Sequence, residues 1–308
     1  MIWGIAAAVL ILLFLIACYL VYKLAFYNDL PQDDPYRIPE IDQYQVHAQA
    51  IHEAIRQMEE TPYERVVIKS FDGLNLSGRY YHMAENAPLQ IQMHGYRGNP
   101  LRDLCGGFAL ARKMGQNVLV VDQRGHGLSG GHVITFGVKE RMDCLSWIEY
   151  SNQRFGEDTP IILTGVSMGA ATVLMALDRK LPSNVSGVIA DCPFSRPVDI
   201  IRKVCADMKL SRFPVRFFAS AAALLFGHFN LSESSAEEAV KNSGIPILLI
   251  HGDEDRFVPC EMSRKIREAN PEMVSIELFP GAGHGLSYMV DRERYETLVK
   301  EFIKRCVK

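Results

Sequence analysis

Residues 161–171 read IILTGVSMGAA, an apolar run that ends in Gly165-Val166-Ser167-Met168-Gly169 and passes at once into an alanine-rich, helix-favouring stretch. The serine therefore falls where a strand turns sharply into a helix, the arrangement of a nucleophile elbow. Gly165 and Gly169 have a steric task there, because a turn this tight leaves no room for a Cβ on either side of the serine. A serine hydroxyl is a poor nucleophile at neutral pH. It needs a base to take its proton and a carboxylate to hold that base in the right tautomer. Downstream, an apolar run at 245–250 leads into His251-Gly252-Asp253-Glu254-Asp255, and another at 274–279 leads into Pro280-Gly281-Ala282-Gly283-His284-Gly285. Asp255 is the expected acid, with Asp253 and Glu254 as rivals, and His284 is the expected base.

The chain order Ser, Asp, His differs from that of chymotrypsin and subtilisin and is the order of α/β-hydrolases. Two further motifs, His94-Gly95-Tyr96-Arg97-Gly98 and Asp122-Gln123-Arg124-Gly125-His126-Gly127, stand one strand apart upstream. With these the chain resembles an α/β-hydrolase fold serine hydrolase from about residue 65 to the C-terminus, and is most similar to membrane-anchored esterase or lysophospholipase-like members. The resemblance implies that the backbone N–H groups of Tyr96 and Met168 form the oxyanion hole. It implies two-step acyl transfer through an acyl-enzyme, with no cofactor and no metal. A small acyl ester or lipid-like molecule is the expected substrate, since an alkoxide leaves without the extra help an amide demands. A peptidase of the prolyl oligopeptidase type and a non-catalytic membrane-tethered scaffold are the competing readings. His94 is expected to brace its loop, and His126, after the fourth strand, to be structural.

The elements that must position these residues follow from periodicity. Residues 65–71 and 74–82, with a turn at Asp72-Gly73, predict an antiparallel hairpin at one sheet edge. Strands are expected at 89–93, 117–121, 159–164, 185–191, 245–250 and 274–279, with helices at 101–114 and 136–150 between them. Crossover units of this kind give a mainly parallel sheet with helices on both faces. The fold class is α/β. About fifty residues at 192–244 exceed what a simple crossover needs and form a candidate helical cap. Phe194, Phe213, Phe217, Phe218, Leu224, Leu225, Phe226 and Phe229 could face the serine and suit an acyl chain, or could be ordinary helix–core packing. Arg196, Arg202, Lys203, Arg212 and Arg216 are mixed among them.

The 308 residues, 48% apolar and 22% charged, suit one such domain plus an extra segment. A net charge of −3 offers no basic face for nucleic acid, and there is no phosphate-cradling glycine loop. The extra segment is N-terminal. Residues 2–22 carry no charge, end at Lys23 and reach the ~30 Å of a hydrocarbon core at about 1.5 Å per residue. A retained transmembrane anchor at 1–27 is expected over a cleaved signal peptide, or over lipidation at Cys18 within Leu15-Ile16-Ala17-Cys18. Its orientation is left open between the two sides of the membrane.

Residues 28–39, with Pro31, Pro35 and Pro39, read as a linker that frees the domain from the bilayer. Apolar positions 41, 44, 48, 51, 55 and 58 then predict an amphipathic helix within 28–60 that packs on the hydrolase domain, 61–308. Seven cysteines with no C-x-x-C pair show no metal-ligand spacing and are expected to be structural thiols.

Overall fold

A computed structural model describes residues 2–29, 34–210 and 214–307. Pro31 of the expected linker, and Arg212 and Phe213 of the expected cap, lie outside the described residues. In chain order the elements are α1 (Ile2–Ala25), α2 (Asp42–Gln45), α3 (Ala48–Glu60), β1 (Glu64–Lys69), β2 (Asn75–Tyr81), β3 (Leu89–Met93), α4 (Pro100–Lys113) and β4 (Asn117–Val121). Then come α5 (Glu140–Phe155), β5 (Ile161–Val166), α6 (Met168–Met175), β6 (Val185–Asp191), α7 (Pro197–Asp207), α8 (Val215–Leu225) and α9 (Ala236–Val240). The chain closes with β7 (Ile247–Gly252), α10 (Glu261–Ala269), β8 (Val274–Phe279), α11 (Ser287–Val290) and α12 (Arg292–Cys306).

The described strands build one eight-stranded sheet in the order β1-β2-β4-β3-β5-β6-β7-β8. β1 and β2 pair antiparallel, β2 pairs antiparallel with β4, and the other neighbours run parallel. The expected hairpin and mainly parallel sheet are both present. The crossovers reverse direction at β3, so the C-terminal ends of β3 and β5 meet, and a ligand crevice opens at such a switch point. Parallel central strands are covered on both faces, and all five residues of β3 and of β4 are buried, with the polar Gln90 and Gln92 of β3 joined to each other and Gln90 to Gln116 by hydrogen bonds. One face is filled by Ile91, Leu163, Val188 and Leu249 against Val173 and Leu174 of α6, and the other by Ile162, Ile189 and Leu248 against Leu110, Tyr295 and Phe302.

Two expected helices differ in the structure. The one foreseen at 136–150 starts at Glu140, because Phe136 and Gly137 both take positive φ and the Glu140 carboxylate folds back onto the N–H groups of Thr135 and Gly137. The amphipathic helix is interrupted at Val46-His47 and becomes α2 and α3. Ile51, Ile55 and Met58 of α3 pack on Leu104 and Phe108 of α4, the side the apolar spacing foretold.

α1 is 24 residues long and apolar enough to cross a membrane. The expectation that a linker isolates it does not hold in the structure. Cys18, Tyr22 and Phe26 are buried in one apolar cluster with Phe136, Phe194, Phe229 and Ala219, Ala222 and Ala223 of α8. Beyond α1, Tyr27 bridges Val133 and Asn28 Nδ2 donates to the Gly125 carbonyl at 2.7 Å. The physical reason is that aromatic residues at the end of α1 match a hydrophobic recess under the cap, a complementarity that a proline count does not register.

Candidate active site

Ser167 sits between β5 and α6 with φ 56° and ψ −115°, a positive-φ conformation that few non-glycine residues adopt. Sterics fix the glycines around it. A Cβ on Gly165 would lie 2.3 Å from the Gly169 carbonyl carbon, and one on Gly169 would lie 2.1 Å from the Met93 oxygen. Only hydrogen at these positions lets α6 close onto the end of β3 and hold the serine at the crest of the turn.

His284, in the loop after β8, places Nε2 2.9 Å from Ser167 Oγ and Nδ1 2.7 Å from Asp255 Oδ2. The structure thus brings together the three side chains that the sequence separates by 117 and 29 positions. Asp255 is buried, and its Oδ1 accepts the N–H groups of Phe257 and Val258, both at 2.8 Å. Burial by itself would raise this carboxyl, but hydrogen bonds from His251 and His284 outweigh it and hold the group well below the usual carboxylate range. The rival acids are engaged elsewhere. Asp253 accepts the Gly281 N–H at 2.7 Å, and Glu254 is exposed and 3.5 Å from Gln43.

The Tyr96 loop lies against the serine, since a Cβ on Gly95 would be 3.5 Å from Ser167 Cβ. The amides on either side of Tyr96 are committed: Gly95 N–H donates to Asp103 Oδ2 and Arg97 N–H to His126 Nε2, each at 3.0 Å. Met168 opens α6, where a helix leaves its first N–H groups without intrahelical acceptors and carries partial positive charge. His94 and His126 brace this loop. His94 Nε2 accepts from Gln123 N–H at 3.1 Å and its Nδ1 faces the Gly95 carbonyl. Burial, then His94, push His126 down to about 3, so it is a neutral acceptor.

Two participants, His251 and Tyr44, escaped sequence reasoning, and a third, Cys192, was expected only as a structural thiol. Cys192, at φ 47° just past β6, sets its sulfur 4.0 Å from His284 Nε2. Burial, reinforced by Asp191 and Asp255, pushes its thiol well above the usual range. His251 donates toward both the Val258 carbonyl, at 2.8 Å, and Asp255 Oδ2, at 3.2 Å, while Ser263 Oγ lies 2.7 Å from its other nitrogen. Tyr44, from α2, donates its hydroxyl to the His284 carbonyl at 2.5 Å. A histidine directly after the apolar run at 245–250 was a signal for His251; nothing local marked Tyr44.

A cavity of about 230 Å³ opens at Ser167 and His284. Its outer wall is Ile38, Pro39, Tyr44 and Ile51, from the segment expected to be a linker and a packing helix. Among the described residues lining it there is none of the cap, 192–244. The cap's Phe194 and Phe229 are buried with the end of α1, and Phe217, Leu224 and Leu225 point outward. The inner wall is partly polar: Asp191 Oδ1, Gln92 Oε1 and the Tyr288 hydroxyl are buried without a protein partner. Burial raises the Asp191 carboxyl to about 6 despite the opposing His251 and Tyr295. The sulfur of Cys192 and ligand atoms of Asp255 and His284 lie within 4.8 Å of one another. Both imidazole nitrogens already face Asp255 and Ser167, so a metal ion there would have to displace the serine contact.

Fold and site together define a hydrolase. The chain belongs to the alpha/beta hydrolase family, whose model matches residues 93–299. It is similar to the uncharacterized Bacillus subtilis protein YqkD, 28% identical over 256 residues that cover 82% of each chain. It is also similar to the rat lysophosphatidylserine lipase ABHD12, 25% identical over 193 residues, 60% of this chain and 46% of that one. Among solved structures, the Pyrococcus furiosus esterase Pf2001 superposes with a TM-score of 0.65 at 24% identity, covering 82% of this chain and 96% of that chain. That likeness speaks for the fold.

Proposed function

We propose that this protein is a serine hydrolase that cleaves carboxylic esters. Ser167 is the nucleophile, His284 the general base and acid, and Asp255 the group that orients the imidazole and stabilises its charged form. The observation that carries the reading is the continuous relay from Asp255 Oδ2 through His284 to Ser167 Oγ, at 2.7 and 2.9 Å, on a strained elbow. His284 Nε2 takes the serine proton as Oγ attacks the carbonyl carbon. The oxyanion is held by the N–H groups of Tyr96 and Met168, each worth several kcal/mol in a preorganised site, roughly 2.7–4 for one donor. His284 then protonates the departing alkoxide, and the acyl-enzyme is opened by water that His284 activates.

The pocket supports a substrate with an apolar body and a polar end. Ile38, Ile51 and Leu286 offer apolar contact, while Asp191, Gln92 and Tyr288 bring unpaired polar atoms. A lipid-like monoester has that character, and the lipase named among the relatives acts on one. We place the catalytic domain at 61–308, with 1–27 as a transmembrane anchor. A fluorophosphonate probe, followed by peptide mapping, tests the reaction: adduct on Ser167 and none in Ser167→Ala is expected. A panel of p-nitrophenyl esters beside aminoacyl amides tests the bond. Turnover of amides at rates equal to esters would replace this reading with that of a peptidase.

A further inference from the structure

We propose that α8 is bedded in the same lipid bilayer as α1, so that the protein enters the membrane through two apolar elements. The inference rests on the anchor reading of α1. The ring of Phe14 lies 5.7 Å from Phe217 and 5.8 Å from Phe218, and Phe226 lies 5.4 Å from Tyr19 and 5.9 Å from Tyr22. These pairs run in the same order along both helices, so α8 flanks the second half of α1. The small residues Ala219, Ala222 and Ala223 are buried on its inner face and let the two helices approach closely.

This pairing changes the length argument. Residues 2–13 of α1 precede the flanked stretch, and at about 1.5 Å per residue they give roughly 18 Å of helix. A hydrocarbon core is about 30 Å thick. α1 crosses it only if the part flanked by α8 also lies in lipid. The outer surface of α8 fits that demand. Phe217 is 58% exposed and Leu224 62%; Leu13, Ile16, Leu20 and Leu24 of α1 are bare as well, and Phe217 meets α1 at the ring of Phe14. α8 has no acidic residue, and its one charge, Arg216, is in its first turn. Long basic side chains of this kind snorkel toward headgroups. Lone exposed leucines are ordinary on a protein surface, but a patch continuous with a membrane helix is not. Because the cap also holds the end of α1 beside Tyr96, the arrangement keeps the catalytic crevice within reach of esters resident in the bilayer.

The test uses the full chain in vesicles of phosphatidylcholine and phosphatidylglycerol, with a benzophenone amino acid replacing Phe217, Leu224, Leu10 or Val67 in turn. After irradiation and digestion, mass spectrometry should find phospholipid adducts at 217, 224 and 10 and none at 67, an exposed position on β1. Adducts at 10 without adducts at 217 or 224 overturn the proposal. Absence at all four positions overturns it together with the anchor. In a second arm, the double variant Phe217→Glu, Leu224→Glu should turn over an ester lipid in vesicles at least ten times more slowly than wild type, with its rate on soluble p-nitrophenyl acetate unchanged. Equal rates on the vesicle substrate overturn the proposal. If wild type cleaves neither ester, the esterase reading fails while the crosslinks still decide the surface.

Discussion

The phenol of Tyr44 donates to the backbone carbonyl of His284, the residue whose imidazole faces Ser167. The bond joins an N-terminal segment to a loop 240 residues away. Gln43 packs beside it on Gly283, where a Cβ would come within 2.4 Å of Gln43 Oε1. Tyr44 thus fixes the loop that aims the imidazole. A typical hydrogen bond of this type contributes about 1 kcal/mol. Tyr44→Phe should therefore lower kcat roughly 3- to 10-fold with the fold intact, measured with a soluble p-nitrophenyl ester and by circular dichroism. A wild-type kcat would show that the loop holds itself.

The relay makes a non-additive mutant series the expected result. Ser167→Ala and His284→Ala should each reduce kcat by about 10⁴ to 10⁶, and the double variant should be little worse, because the residues act as a unit. Asp255→Asn should be severely impaired and Asp253→Asn nearly normal, given which carboxylate touches Nδ1. A tenth of wild-type activity in Ser167→Ala would remove the serine from its role.

Truncation within α1 should have a sharp boundary. Tyr96 donates its hydroxyl to the Ala25 carbonyl at 2.9 Å, and Arg97 reaches the carbonyls of Leu24 and Tyr27 at 3.0 and 2.9 Å. The residues beside the expected oxyanion amide therefore cap the end of α1. Removing residues 2–13 should leave a folded enzyme with unaltered turnover of soluble ester. Removing 1–28 also strips Cys18, Tyr22 and Phe26 from their cluster, and should lower the melting temperature by several degrees and kcat by at least tenfold. Equal activity of the two truncations, assayed in detergent, would contradict this coupling.

The buried thiol beside His284 gives a chemical test of which residue attacks. Burial, with Asp191 and Asp255 adding to it, holds Cys192 as a neutral thiol, and a thiol is a far weaker nucleophile than a thiolate. Iodoacetamide should modify Cys260 or Cys205, which are half-buried, and leave Cys192 and the activity untouched. Inactivation that tracks alkylation of Cys192 would point to the thiol instead.

Acid sensitivity of the fold should trace partly to His126. Its value falls from 6.5 to about 3 on burial, so between these two pH values the unfolded chain binds a proton that the folded one refuses. Stability from this group is complete above 6.5 and is lost as pH falls, by about 2 kcal/mol at pH 5. Asp143 and Asp191, both raised to about 6 by burial, act in the opposite sense between 3.8 and 6. The comparison must therefore be between chains: the loss of denaturation midpoint from pH 7.5 to 5 should be smaller in His126→Gln than in wild type. Parallel losses would exclude His126 as the source.

The sequence by itself determined the elements whose signal is local. β3, β4, β6 and β8 occupy the residues expected of them, since short runs rich in Val, Ile and Leu between turn residues mark a strand locally, wherever in the sheet it ends up. The elbow was legible because Gly165 and Gly169 are required by contacts within a few residues and one neighbouring strand. Ser167, Asp255 and His284 could be nominated from loop chemistry and chain order, but their mutual distances are a product of strand order, which periodicity does not encode. Tertiary structure alone decided that Tyr44 and Ile38 wall the pocket, that Cys192 stands beside the imidazole, and that the cap's aromatic residues pack on α1. Each of these is a contact between segments far apart in the chain. Such contacts arise from shape and burial after the sheet has formed, so neither hydropathy nor proline content foretells them, and the apparent linker at 28–39 proved to lead into a wall of the site.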